Sequence, residues 1–157
     1  MPARHLVDLA ATATRLADAS HLWEPLVDYD PVSRYYARLA LTSEHEAWLL
    51  TWVPGQGTDW HDHGGSAGAF VVVRGALTEE HARLQPDGSA RVGETRSLGT
   101  GSLRPFGTRH IHRVTNTGLE PAVSIHVYAP ALTRMNGYVR DGDRLELVES
   151  RLAGVAW

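Results

Sequence analysis

From residue 34 onward the chain is cut at short intervals by glycine and proline, which rules out long helices there. The breaks fall at Pro54-Gly55-Gln56-Gly57, Gly75, Pro86-Asp87-Gly88, Gly99-Thr100-Gly101, Thr117-Gly118 and Asp141-Gly142-Asp143. Between them the spacing predicts strands over 34–41, 46–53, 58–63, 68–74, 76–84, 90–97, 102–106, 110–117, 121–129 and 143–148. Asp87-Gly88 and Asp141-Gly142 suit hairpin tips, because glycine enters the positive-φ region that tight hairpin turns need. Many short strands of regular spacing close most readily as an antiparallel sandwich or barrel.

The first thirty residues have a different texture. Leu6, Leu9, Ala10, Ala13, Leu16 and Ala17 form one stripe at helical spacing over 4–18. A second helix is expected over 20–28, with Ser20 as N-cap and Glu24 near the capping-box position, and Pro25 sets its length in question. Asp30-Pro31 marks a turn. The expected organisation is one domain over 1–157, with a helical cap (1–30) on a β-barrel (34–150).

The segment 121–129 alternates most cleanly. Val123, Ile125, Val127 and Ala129 face one way, and Ser124, His126 and Tyr128 the other. The plain reading is an outer strand with a wet polar face. Lys, Glu or Thr would be the commoner choices there. If the face lines a barrel lumen instead, the three side chains can form a hydrogen-bonded row.

Two alternating histidine pairs stand apart from the rest: Trp-His-Asp-His-Gly-Gly at 60–65 and Arg-His-Ile-His-Arg-Val-Thr-Asn at 109–116. On a strand His61 and His63 project to the same side, and a third imidazole from a neighbouring strand completes a facial metal set with open positions. The chain has nine histidines and no cysteine, so any metal must take nitrogen or oxygen ligands. No Asp or Glu lies between Asp62 and Glu79, so a carboxylate ligand close to the first pair is missing. His110 and His112 both remain open as the third ligand.

Composition narrows the class further. With 157 residues, 43% hydrophobic content and a net charge of −3, the chain is an ordinary globular domain without the electrostatic footprint of a nucleic-acid or anionic-membrane binder. It carries no apolar run long enough to span a bilayer and no signal-peptide pattern at its start. Together with the absence of cysteine this suggests a cytoplasmic protein.

The spacing Gly55, five residues, His61-x-His63, then Gly75 resembles the first signature of the cupin superfamily, with Gly68 where most cupins carry a metal-binding glutamate. Gly99, five residues, Pro105-x-Gly107 resembles the start of the second signature, whose histidine falls at His110, whereas His112, three residues, Asn116 matches its end. Within the cupins the chain resembles the cysteine dioxygenase (type I) family. The resemblance rests on His-Asp-His at 61–63, His-Arg-Val-Thr-Asn at 112–116, Ser-Ile-His-Val-Tyr-Ala-Pro at 124–130, and Tyr36-Ala37-Arg38 for that family's Tyr-x-Arg segment.

The resemblance implies an all-β cupin barrel (a double-stranded β-helix, or jelly roll) with N-terminal α-helices. It implies a non-haem Fe(II) held by His61, His63 and His112, with His110 as a neighbour on the same strand face. Arg38 would clamp the substrate carboxylate through its planar fork, and Tyr36 would line the same pocket. Ser124, His126 and Tyr128 would form an outer row with the Tyr128 hydroxyl aimed at substrate or oxygen. Animal members place at Gly68 a cysteine cross-linked to the tyrosine matching Tyr128; bacterial members often have glycine, and here Tyr128 should be a free phenol.

The implied reaction is oxidation of L-cysteine to cysteine sulfinic acid by O2. Three neutral imidazoles leave a divalent ion its full charge, which a thiolate substrate balances. Arg38 favours cysteine. The alternatives are another small thiol (3-mercaptopropionate, cysteamine or a thio-imidazole) or a non-catalytic metal-binding cupin. The expected partners are a small thiol and O2, with no nucleic acid and no membrane, and the chain is expected to act as a monomer.

Overall fold

The computed structural model describes residues 3–153, with side chains from Asp8 onward. An N-terminal helix α1 (Ala3–Asp18) leads into a single α-turn α2 (Ser20–Trp23). Among the described residues eleven strands follow: β1 (Tyr36–Leu41), β2 (Glu46–Trp52), β3 (Trp60–His61), β4 (Ala67–Arg74), β5 (Leu77–Leu84), β6 (Ala90–Leu98), β7 (Leu103–Phe106), β8 (His110–Thr115), β9 (Ala122–Ala129), β10 (Arg134–Asp141) and β11 (Arg144–Leu152).

The strands form two layers. One sheet has the order β1-β2-β9-β4-β7, and the other closes on itself as β10-β11-β6-β5-β8-β3. β9 lies in the middle of the first sheet, paired antiparallel with β2 and β4, and every residue of it is buried. Its alternation divides the core. Val123, Ile125 and Val127 pack outward with Leu9 and Ala13 of α1, Trp23 and Leu49, so the helix covers that face. Ser124, His126 and Tyr128 turn into the space between the sheets, beside the apolar cluster of Leu50, Trp52, Phe70 and Phe106. The polar row is therefore interior, not the wet outer face.

Three expectations need correction. The second helix does not run over 20–28: after one α-turn it tightens into a 3₁₀ turn over Glu24–Leu26, where Pro25 cannot donate the backbone bond an α-helix requires. Ser20 is inside α2; the capping position is Ala19, with no side-chain cap. The strand β10 is absent from the expected set. It pairs along β11 across the Asp141-Gly142 tip, with Gly142 at φ 62°. Its sequence, Arg-Met-Asn-Gly-Tyr-Val-Arg-Asp, carries Gly137 and a register break between Gly137 and Tyr138, so the two-residue alternation that marks a strand is lost. The Leu6 position of the α1 stripe lies outside the described side chains; Leu9 and Ala13 are buried, with Leu16 and Ala17 packed beside them.

Candidate active site

β3 brings the first histidine to the second pair: His61 sits directly opposite His112 of β8. The strand ends at His61, so His63 lies in the following turn at Gly64-Gly65, yet its ring still converges with the other two. One ring nitrogen from each of His61, His63 and His112 lies within 4.8 Å of the others, and all three residues are buried. The Nε2 atoms of His61 and His112 are 3.1 Å apart. Two metal–nitrogen bonds of about 2.1 Å at a right angle would span about 3 Å, so this edge fits a facial set.

Burial holds these rings neutral. His61 is pushed down to about 4, mainly by desolvation and opposed by the Asp59 carbonyl, which accepts from its Nδ1 at 2.8 Å. His63 falls further below its usual value, first through desolvation and then through its neighbouring imidazoles, and neither of its ring nitrogens has a hydrogen-bond partner. A buried imidazole with both nitrogens unsatisfied costs stability unless something else binds it. The donor set therefore fits a divalent transition metal.

His110 takes a different job. It stacks on Phe106 (4.9 Å between rings), and its Nε2 lies 3.2 Å from Glu79 Oε2. Glu79, on β5, is fully buried and also accepts from His112 Nδ1 at 2.8 Å and from Arg104 Nε at 2.8 Å. Burial alone would raise its pKa, but the bonds from His110, His112 and Arg104 outweigh it and hold the carboxylate ionised, well below the usual range. Because Nδ1 of His112 donates to Glu79, its Nε2 lone pair faces the other imidazoles. In the sequence Glu79 stands out only as the end of a stretch without carboxylates. Its parity with the buried Leu77 on β5 was the available signal.

The outer row is assembled as the alternation of β9 dictates. Trp52 Nε1 donates to Ser124 Oγ at 2.9 Å, Ser124 Oγ lies 2.8 Å from His126 Nε2, and His126 Nδ1 lies 3.4 Å from the Tyr128 hydroxyl. Indole can only donate, so Ser124 Oγ accepts from Trp52, and the row continues through His126 to the Tyr128 hydroxyl. Desolvation pushes His126 down to about 3, and Tyr128 is raised above its usual value by burial and the Glu46 carboxylate, so both are neutral. Gly68 pairs with Tyr128 across β4 and β9, and a Cβ there would meet the Phe106 ring at 2.5 Å. Phe106 occupies the space a side chain at 68 would need.

These groups wall one cavity of about 130 Å³, lined by His61, His112, His126, Tyr128, Trp52 and Arg34 among others. Arg38 and Tyr36 are not brought into it. β1 is the open edge of its sheet, and Arg38 pairs with Trp48, where its guanidinium lies exposed over the indole (5.7 Å). Tyr36 packs edge-on against the same indole and is 36% exposed. The strand face agrees with the sequence reading, but the cavity is walled by the other end of β2, at Leu50 and Trp52. Arg34, on the approach to β1, reaches it: its guanidinium covers Trp52 at 5.0 Å and Nη1 donates to the Gly57 carbonyl at 2.7 Å. Desolvation lowers its pKa, opposed by Tyr128 and Asp59.

Solved structures share this architecture. TT1209 from Thermus thermophilus superposes with a TM-score of 0.59 at 21% identity, over 69% of this chain and 93% of that one. A protein with a double-stranded β-helix domain from Klebsiella pneumoniae gives 0.56 at 19% identity, over 80% and 93%. A cupin superfamily protein from Desulfitobacterium hafniense gives 0.54 at 10% identity, over 69% and 87%. At these identities the likeness establishes a cupin fold. Residues 4–141 match the family model described as cysteine dioxygenase type I. The chain belongs to the cysteine dioxygenase type I family.

Proposed function

We propose that this protein is a non-haem iron thiol dioxygenase whose substrate is a small carboxylate-bearing thiol, L-cysteine first among them. The observation that carries the reading is one cavity lined by His61 and His112 of the three-histidine set, by Trp52, His126 and Tyr128 of the hydrogen-bonded row, and by Arg34. The net reaction is balanced as thiol plus O2 giving sulfinic acid, with both oxygen atoms ending on sulfur. His61, His63 and His112 would hold Fe(II), which when bound supplies the open positions where thiolate and oxygen meet.

The protein's own groups orient the rest. Arg34 takes the role expected of Arg38, presenting a guanidinium to the substrate carboxylate inside a low-dielectric wall. His126 holds the Tyr128 hydroxyl at the cavity face, and the buried, neutral phenol acts as a hydrogen-bond partner for substrate or oxygen. Glu79 fixes the ring of His112 while Arg104 offsets its charge. The metal and the protein's cytoplasmic setting are part of the same proposal.

Anaerobic loading with Fe(II), followed by oxygen uptake and product identification with cysteine, 3-mercaptopropionate and cysteamine, tests it. The expected result is one O2 consumed per thiol and a sulfinic acid product. Failure of every thiol to drive oxygen uptake in the iron-loaded protein overturns the reading.

A further inference from the structure

Few side-chain polar atoms are both buried and without a partner among the described residues, and two of them belong to arginines lining one cavity: Nε of Arg34 and Nε of Arg151. The two arrive from opposite ends of the chain. Arg34 precedes β1, and Arg151 lies near the end of β11, in the other sheet. Both nevertheless line the same cavity, beside Trp52 and His61.

Both guanidiniums are tied down in the same manner. Arg34 commits Nη1 to the Gly57 carbonyl at 2.7 Å, and Arg151 commits Nη1 to Glu149 Oε1 at 3.2 Å. Nη1 is the nitrogen on the side of Cδ, so its engagement leaves the Nε–Nη2 edge, the side-on fork that matches the two oxygens of a carboxylate. Leaving a buried donor unpaired is costly, and bringing two cations together in a desolvated wall adds to the cost. An anion between them removes both penalties.

We propose that Arg34 and Arg151 together grip the carboxylate of the substrate, Arg151 being a second specificity-determining residue supplied by the C-terminal strand. A carboxylate has lone pairs enough for donors from two guanidiniums. The site then selects acidic thiols over an aminothiol without a carboxylate. This rests on the thiol reading of the same cavity.

The test is calorimetric binding without oxygen to Zn(II)-loaded wild type, Arg151→Met and Arg34→Met, using 3-mercaptopropionate, cysteamine and the sulfur-free propionate. Each variant is expected to weaken 3-mercaptopropionate by about tenfold or more while cysteamine stays within about twofold. Arg151→Lys should recover only part of the loss, since it restores the charge without the fork. An unchanged 3-mercaptopropionate affinity in Arg151→Met overturns the grip, as does an equal loss for cysteamine, which would mark a merely structural arginine. Wild-type protein that binds propionate in an Arg151-dependent way but neither thiol would keep the grip and overturn the thiol reading. Wild-type protein that binds none of the three overturns both.

Discussion

Glu79 accepts a hydrogen bond from Nδ1 of His112 at 2.8 Å, and this contact determines which nitrogen His112 offers to the two histidines opposite. Carboxylate partners of ligating histidines raise ligand basicity and fix the ring. Glu79→Gln keeps an oxygen acceptor but removes the charge that Arg104 and His112 share. Metal affinity, measured by chelator competition, should fall about 10–100-fold. An affinity within about twofold of wild type would mean that Glu79 serves Arg104 and His110 and not the ligand His112.

His63 tests the metal assignment through stability. Both its nitrogens are buried and unpaired, each such group costing about 1–3 kcal/mol. His63→Leu should abolish stoichiometric metal binding, yet leave the metal-free protein as stable as wild type or more so in a urea titration. Retained metal at one equivalent would remove His63 from the ligand set.

The metal-free protein should weaken in mild acid. His61 and His126 have folded pKa values lowered to about 4 and about 3, against 6.5 when unfolded. As pH falls below 6.5 the unfolded chain takes up protons that the folded rings refuse. Their stabilising contribution is complete above pH 6.5 and is lost on the way down to about 4 for His61 and about 3 for His126. The slope is about 1.4 kcal/mol per pH unit for each ring. Equal unfolding free energies at about pH 7.5 and about pH 5.5 would contradict these shifts.

Arg38 and Arg34 should separate cleanly. Arg38→Ala removes an exposed guanidinium stacked on Trp48, and KM for cysteine should stay within about twofold. Arg34→Met removes one of the cavity's two guanidiniums, and KM should rise about tenfold or more, in keeping with a charge-assisted bond of about 1.5–3 kcal/mol. The reverse ranking, read in steady-state oxygen uptake, would return the clamp to Arg38.

Gly68→Ala should be costly although it adds one methyl group. Its Cβ would meet the buried Phe106 ring and the Val127 carbonyl. Overpacking of this kind typically costs about 1–3 kcal/mol, which thermal unfolding would report. A variant as stable as wild type would show that Phe106 has room to move.

The local code of this chain is strong wherever a period of two runs unbroken. Glycine and proline breaks delimit most strands, and the alternation at 122–129 alone separates the residues under α1 from those facing the cavity. His61 and His63, read from motif and parity, and His112, implied by the family resemblance where spacing left His110 equally open, do converge, because antiparallel pairing puts His61 opposite His112. Parity also places Arg38 on the correct face of β1. What it could not give is distance along that face: which residue clears the sheet edge depends on where β2 is overlaid by the second sheet, and only there does Arg34 meet Trp52. The same limit hid Glu79, whose worth lies in partners 25 to 33 residues away, and Arg151, whose strand joins the cavity through pairing with β10 and β6. The sequence by itself determined most of the strands, though not β10, their two alternating faces and the histidine pairs, since these follow from local period and turn residues. The tertiary structure alone decided which charged side chains surround that chemistry, because long side chains are positioned by sheet closure and burial and leave no local period to read.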